Sequence, residues 1–191
     1  ATWTKGNVTV TLPKSDGFKT MYTTDGTIPK AAATGATKEY SSPFAVSSNC
    51  TIMFVYTDGN NINTAGSIII DKIDKTAPTN TAPSTTNTTN SITATNRQAD
   101  NAGTNEKASG IKTVQYQIKK NADTTWGALQ STGTFGNLAQ NTKYDVRTQV
   151  TDNAGNTTTS AVTTVVTGTI GAVGTASISP ATWTNGNVTV T

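Results

Sequence analysis

Apolar and polar positions alternate along this chain in short runs, separated by clusters of Gly, Pro, Asn and Asp. In residues 7–12, Val8, Val10 and Leu12 fall on one face and Thr9 and Thr11 on the other, the two-residue period of a half-buried strand. Asp16-Gly17 then supplies a tight turn into a strand over 18–23, which Asp25-Gly26 and Ile28-Pro29 end. Beyond a small-residue loop at 31–37, residues 42–46 predict a short edge strand, since Pro43 has no N–H to give a ladder. Residues 50–57 are the strongest strand of this half, with Cys50, Ile52, Phe54 and Tyr56 on one face. The turn Asp58-Gly59-Asn60-Asn61 leads to a closing strand at 67–73. A junction is expected at 75–79, followed by an extended Thr/Ser/Asn segment to Asn90, carrying Pro78 and Pro83, with little to bury. The second half predicts strands at 91–95, 111–119, 126–129, 133–137, 144–151 and 161–167. Its inward sets are Val114, Tyr116 and Ile118 on one long strand, and Tyr144, Val146, Thr148 and Val150 on another.

The opening ATWTKGNVTVT returns as residues 181–191, ATWTNGNVTVT, with Lys5 against Asn185 as the only difference. A spacing of 180 residues is too long for a solenoid unit of roughly 20 to 50 residues and fits a unit of two ordinary domains. The chain therefore reads as a piece of a tandem array: residues 1–74, residues 75–168, and a linker with the start of the next copy at 169–191. Residues 176–180 are expected to correspond to a first strand that would precede Ala1; the tail, with no sheet of its own, is expected either to dock on a neighbouring molecule's open sheet edge or to be disordered.

Composition sharpens the fold class. Charged residues make up 13% of the chain, against about 25% in an ordinary soluble domain, and β-branched threonine supplies much of the polar surface. The Ala/Glu/Lys/Leu-rich periodic stretches of a helical protein are missing. The fold class is all-β, as two tandem sandwiches. The net charge of +3 is spread over scattered lysines, with Lys119-Lys120 the only adjacent basic pair, so no nucleic-acid footprint is expected. No apolar run reaches the roughly 18 residues of a membrane span. The single cysteine, Cys50, has no internal disulfide partner and reads as a small buried hydrophobe. Such sparing cysteine use fits a bacterial surface protein.

Two family resemblances follow from particular residues. YTTDGTIP at 22–29, EYSSPFAV at 39–46 and NCTI at 49–52 resemble the Ig-like accessory domain at the C-terminal end of chitobiases and β-hexosaminidases, over about residues 1–74. That resemblance implies a non-catalytic sandwich in an accessory role. Asp25 and Gly26 sit in the motif's turn, where an Asx-type hydrogen bond and a positive φ are expected. NLAQNTKYDVRTQVTDNAGNTT, at 137–158, resembles the E–F corner, strand F and F–G loop of a fibronectin type III domain, over about residues 79–168. The resemblance makes Leu138 the corner leucine and Tyr144 the tyrosine whose hydroxyl bonds back to backbone. Trp126 falls after the expected C strand rather than at the family's core position, which leaves its burial open.

The chemistry is narrow. With no histidine, the commonest general base and imidazole metal sites are absent, and one cysteine cannot build an ordinary zinc site. No catalytic residue and no cofactor is assigned. One tetrapeptide occurs twice, Asp100-Asn101-Ala102-Gly103 and Asp152-Asn153-Ala154-Gly155. If these are the B–C and F–G loops, they lie at the end where the chain arrives past Asp71 and Asp74. Asp74, Asp100, Asn101, Asp152 and Asn153 are thus the candidate binding cluster. It admits two readings, a Ca²⁺ site stiffening the junction, or turns whose Asp and Asn bond their own backbone. A lysine-to-asparagine cross-link is a further option, with Lys112 beside nearby acids as the example.

The function expected is that of an extracellular, cell-surface or secreted spacer, whose partners are neighbouring repeats and which presents a distal domain. The alternative is an adhesin, or a carbohydrate-binding accessory of a secreted glycoside hydrolase, contacting a host or cell-surface glycan or protein. Trp3, Trp126 and Trp183 are then the aromatics to inspect.

Overall fold

A computed structural model describes residues 2–171, together with residues 178–179, 187 and 189–190. Every regular element among them is a strand, and no helix long and apolar enough to cross a membrane occurs among the described residues.

The first half folds into β1 (Val8–Val10), β2 (Lys19–Thr23), β3 (Lys38–Glu39), β4 (Phe44–Val46), β5 (Cys50–Thr57) and β6 (Ile62–Ile70). β1 pairs antiparallel with β4, and β3, β2, β5 and β6 form the facing sheet in that order. Alternation along each strand then decides the interior. Val10, Leu12 and Val46 meet Tyr22 and Ile52 across the gap, Tyr40 and Ile73 are buried with them, and Phe44, Cys50, Ile68 and Ile70 pack around that set. Cys50 is half-buried, and burial pushes its thiol pKa up, as expected of a packing residue rather than a reactive one.

The sheet's outer face is also covered, which alternation alone does not predict. Val55 and Thr57 are as fully buried as Ile52, and in the loop over residues 24–37 Pro29 and Thr37 are buried while the Thr23 hydroxyl donates to the Thr27 carbonyl. β6 begins at Ile62 instead of residue 67. Its early part opens on the exposed Ile62 and continues through small and polar residues to Gly66, and the Phe54 ring lies across that glycine where a Cβ would stand.

The second half contains β7 (Thr79–Asn80), β8 (Ser84–Asn87), β9 (Ile92–Thr95), β10 (Gln98–Ala99), β11 (Ile111–Lys120), β12 (Thr134–Phe135), β13 (Lys143–Asp152), β14 (Thr157–Thr159) and β15 (Thr163–Val166). One layer runs β12-β9-β8; the other is built on β13, with β11 along one edge and β14 and β15 along the opposite edge. Ile92, Ala94 and Phe135 pack against Tyr144 and Val146, with Tyr116, Ile118, Leu138 and Val165 around them. No residue is shared between this interior and that of the first half.

Two expectations are corrected here. The segment after Pro78 is not an unburied extended linker: it supplies β7 and β8, and both Pro78 and Pro83 are buried. Asn80 explains why a run without large apolar residues belongs to the sandwich. Its amide donates to the carbonyls of Thr148 (3.1 Å) and Thr158 (2.9 Å), and its Oδ1 accepts from the fully buried Thr148 hydroxyl (2.9 Å). Residues 126–129 form no strand; the chain follows β11 irregularly, bonded from Gly127 N to Ile118 O and between Tyr116 and Gln130. Trp126 is half-buried there, with the Arg147 guanidinium 4.1 Å and the Lys119 ammonium 5.5 Å from its ring centre.

Near the end of the chain, β16 (Ile178–Ser179) pairs antiparallel with β17 (Thr189–Val190). The rest of what was expected of residues 175–191, Trp183 included, lies outside the described residues.

Candidate functional site

The site begins where the first sandwich hands the chain to the second. Thr4 forms a parallel bridge with Ile73, its N–H donating to Lys72 O and its carbonyl accepting from Asp74 N, both at 3.0 Å. Asn49 clamps the same place: its Oδ1 accepts from Ile73 N (2.8 Å) and its Nδ2 donates to Ile73 O (3.0 Å). Held between these bonds, Asp74 is 0% exposed. Its Oδ1 accepts from Thr76 N (3.1 Å), while its Oδ2 accepts from Ser109 N (2.8 Å) in the second half.

The two Asp-Asn-Ala-Gly loops reach the same spot, after β10 and at the end of β13. Asp152 is fully buried; its Oδ1 accepts from Asn156 N and its Oδ2 from Asn156 Nδ2, both at 2.8 Å. That Nδ2 also donates to the Asp74 carbonyl (2.9 Å). Asp100 Oδ2 accepts from Gly110 N and from the Ser109 hydroxyl. Asp100 Oδ1 is buried with no hydrogen-bond partner. One oxygen from each of Asp74, Asp100 and Asp152 lies within 4.8 Å of the others.

Asn101 and Asn153 do something else. Asn101 is exposed, and Asn153 turns its Nδ2 to the carbonyls of Ser109 (2.9 Å) and Gly110 (3.0 Å), so it braces the loop that carries Ser109. Asp71 is exposed outside the group. Sequence reasoning missed Asn156, Ser109 and Asn49. Asn156 had a usable signal, since it stands four residues after Asp152 in a run of turn formers. Three more bonds cross the junction: Lys5 Nζ to Gly155 O (3.0 Å), Asn49 N to Asn105 O (3.0 Å) and Lys75 Nζ to Asn7 Oδ1 (3.0 Å); the Thr76 hydroxyl donates to Glu106 Oε2 (2.6 Å) beside them.

Three carboxylates this close repel one another in a site largely closed to water, and a bound cation would offset that repulsion. All candidate ligands are oxygens, the donor type of hard cations such as Ca²⁺, and the geometry leaves Asp100 Oδ1 uncommitted. Burial pushes the Asp100 carboxyl above its ordinary range; the Gly110 N–H opposes this, and the charges of Asp74 and Asp152 add to it. A carboxyl whose folded value is raised contributes stability that is fully present below its unfolded value and is lost as pH rises through the folded one. In metal-free protein, melting temperature is therefore expected to fall along that limb, and Asp100→Asn to flatten it. Parallel melting curves for the two proteins across the acid range would contradict this assignment.

The other structural residues are placed as follows. Tyr144 is 5% exposed, and its hydroxyl accepts from Ala139 N (3.0 Å), while Leu138 packs on the same interior. Asp25 Oδ1 accepts from Thr27 N (3.0 Å) and from the Thr27 hydroxyl (2.6 Å), next to Gly26 at φ 79°. Lys112 is exposed, at the irregularity in β11 next to Ile111, which stands opposite Asp152. Trp3 is half-buried. Asp74 and Asp152 cannot be reached by a sugar, so the carboxylate group is no glycosidase pair.

Residues 2–69 match the family model described as the chitobiase/beta-hexosaminidase C-terminal domain. Among solved structures, domains A168-A170 of titin superpose with a TM-score of 0.53 at 11% identity, covering 88% of this chain and 61% of that one. The FN1-FN3 domains of chicken CNTN1 give a TM-score of 0.43 at 13% identity, covering 88% and 65%. The chain thus spans less than two thirds of the length of either structure. No curated protein matches it. The fold is all-β, a tandem of sandwiches resembling Ig-like and fibronectin type III-like domains.

Proposed function

We propose that this pair of sandwiches is a spacer unit of an extracellular, cell-surface or secreted protein, and that its work is to hold a fixed angle between consecutive domains so that an array of them projects a distal functional domain. The observation that carries the reading is the junction. Two separate interiors meet there through Asp74, whose backbone is fixed by the first half and whose carboxylate is bonded to the second. Free linkers are flexible and polar, whereas this one is anchored at the buried Asp74 and Pro78 and hydrogen-bonded on both sides, which supports two beads acting as a rod segment.

Asp74, Asp100 and Asp152 are the residues that would hold a cation such as Ca²⁺ at this place, cancelling their mutual repulsion in the folded state alone. A ligand bound only by the folded form stabilises it by mass action, about 2.7 kcal/mol at a hundredfold excess over Kd. Adding Ca²⁺ to chelator-treated protein is expected to raise the melting temperature by about 3 °C or more, and Asp152→Asn to abolish the rise. An unchanged melting temperature would remove the cation from the proposal. The carbohydrate-binding alternative gains nothing from the described tryptophans, since Trp126 is half-buried beneath Arg147 and Trp3 is half-buried near the junction.

A further inference from the structure

On the outward face of the second sandwich, one guanidinium is held in place at its base and left open at its tip. β13 turns Asp145, Arg147 and Gln149 to this face, opposite Lys119, Gln117 and Gln115 on β11. The Arg147 guanidinium stacks 4.1 Å from the centre of the Trp126 ring, and its Nε donates to Gln117 Oε1 (3.0 Å). Gln117 is held in turn, since its Nε2 donates to the carbonyl of Gly127 (2.8 Å), whose own N–H is bonded to Ile118 O (3.0 Å). Stack and bond together fix the plane of the guanidinium. Its two terminal nitrogens have no acceptor among the described residues, and the side chain is half-buried. The acid on this face is already committed: Asp145 Oδ2 lies 3.0 Å from Lys119 Nζ, and its Oδ1 accepts from Asn121 Nδ2 and the Thr164 hydroxyl.

We infer that Arg147 anchors a binding site for a singly charged sugar acid, its terminal N–H groups receiving the ligand carboxylate as a fork. A planar guanidinium matches a carboxylate with two parallel hydrogen bonds, and one whose plane is set beforehand loses little freedom on binding. The neighbours decide what carries the carboxylate. Gln149 stands next to Arg147 on the same face, between Gln115 and Thr159 on the adjoining strands, and the side chains of these three have no hydrogen-bond partner among the described residues. Neutral amides and a hydroxyl suit sugar hydroxyls. A polyanion calls for a continuous basic stripe, whereas here Lys119 is spent on Asp145 and Lys143 stands four residues from Arg147. An acidic peptide gains no ladder, because β13 is paired along both edges. In this site Trp126 is the support and Arg147 the contact, and the junction plays no part.

Titration of the ¹⁵N-labelled intact chain with two such ligands, methyl glucuronoside and sialyllactose, tests this through the Arg147 Nε–H and the surrounding β11 and β13 amides. Wild type is expected to bind at least one of them saturably, more weakly as salt rises, and to ignore its methyl ester, which differs only in lacking the charge. Arg147→Lys keeps a cation without the fork and is expected to bind at least about tenfold more weakly. The inference is overturned if neither sugar acid binds, if the methyl ester binds as tightly as the acid, or if Arg147→Lys retains wild-type affinity. It is overturned as well if a short peptide with a single glutamate binds as tightly as the sugar acid, which would make the occupant an acidic protein segment.

Discussion

Ile52→Ala is expected to unfold in two resolved steps, the first sandwich weakened by about 3–4 kcal/mol and the second left within about 0.5 kcal/mol of its wild-type stability. Ile52 has 0% exposure and lies on β5, in the same sheet as Tyr22 and facing Val10 and Val46, so truncation removes its buried methylenes and leaves a cavity that β-sheet neighbours close poorly. The second interior, from Ile92 to Val165, contains none of its neighbours. Denaturant unfolding followed by tyrosine and tryptophan fluorescence sees both halves, since Trp3, Tyr22 and Tyr40 belong to the first and Tyr116, Trp126 and Tyr144 to the second, so that the weakened half shows as a separate early transition. A single transition that moves as a whole would mean one cooperative unit, and the description of two cores joined by a bonded hinge would fail with it.

The same contrast shows what the sequence could and could not disclose. β5 and β13 were legible because each repeats a mostly apolar inward set at every second position, Cys50, Ile52, Phe54 and Tyr56 on one and Tyr144, Val146, Thr148 and Val150 on the other, long enough for a period to be unambiguous. The Thr79–Asn80 strand was not, because its place in the sandwich comes from Asn80 bonding two carbonyls and a threonine hydroxyl, an arrangement that leaves no hydrophobic trace. Thr157–Thr159 was invisible for a related reason, three identical residues carrying no alternation. At Trp126 the apolar signal misled, since its ring is held by Arg147 and Lys119 on a sheet surface rather than by an interior.

At the junction, the duplicated Asp-Asn-Ala-Gly tetrapeptide pointed to Asp100 and Asp152, and chain order pointed to Asp74. The roles of the asparagines did not follow. Asn153 and Asn101 share the motif's position, yet the donors that satisfy the carboxylates come from Asn156, Ser109 and backbone N–H groups. Backbone donors are set by loop geometry, which depends on positive φ at Gly110 (87°) and Gly155 (90°), and glycine in a polar loop is too common to signal a particular site.

Asp145→Ala is expected to cost about 2–3 kcal/mol at neutral pH, discounted from the 3–5 typical of a broken buried pair because the partner retains some water. The register sets the arrangement: Asp145 stands opposite Lys119 on β11 and Thr164 on β15, which brings all three to the same face of the sheet. Lys119 Nζ lies 3.0 Å from Asp145 Oδ2, with side-chain exposures of 14% and 10%. Asp145 Oδ1 also accepts from Asn121 Nδ2 (3.0 Å) and the Thr164 hydroxyl (2.8 Å). Burial alone would raise this carboxyl, but the bonds from Asn121, Thr164 and Lys119, with the lysine's charge, outweigh it and hold the group below the ordinary carboxylate range. A depressed folded value means a contribution fully present above the unfolded pKa of about 3.9 and lost as pH falls through the folded value. The deficit of Asp145→Ala should thus be largest near neutrality and shrink toward strong acid, the opposite sense to the Asp100 limb. Urea midpoints of wild type, Asp145→Ala and Asp145→Asn at several acid pH values decide it. A deficit that stays constant with pH would place the stabilisation in packing, and the charge of this carboxylate would then contribute nothing to holding β11, β13 and β15 together.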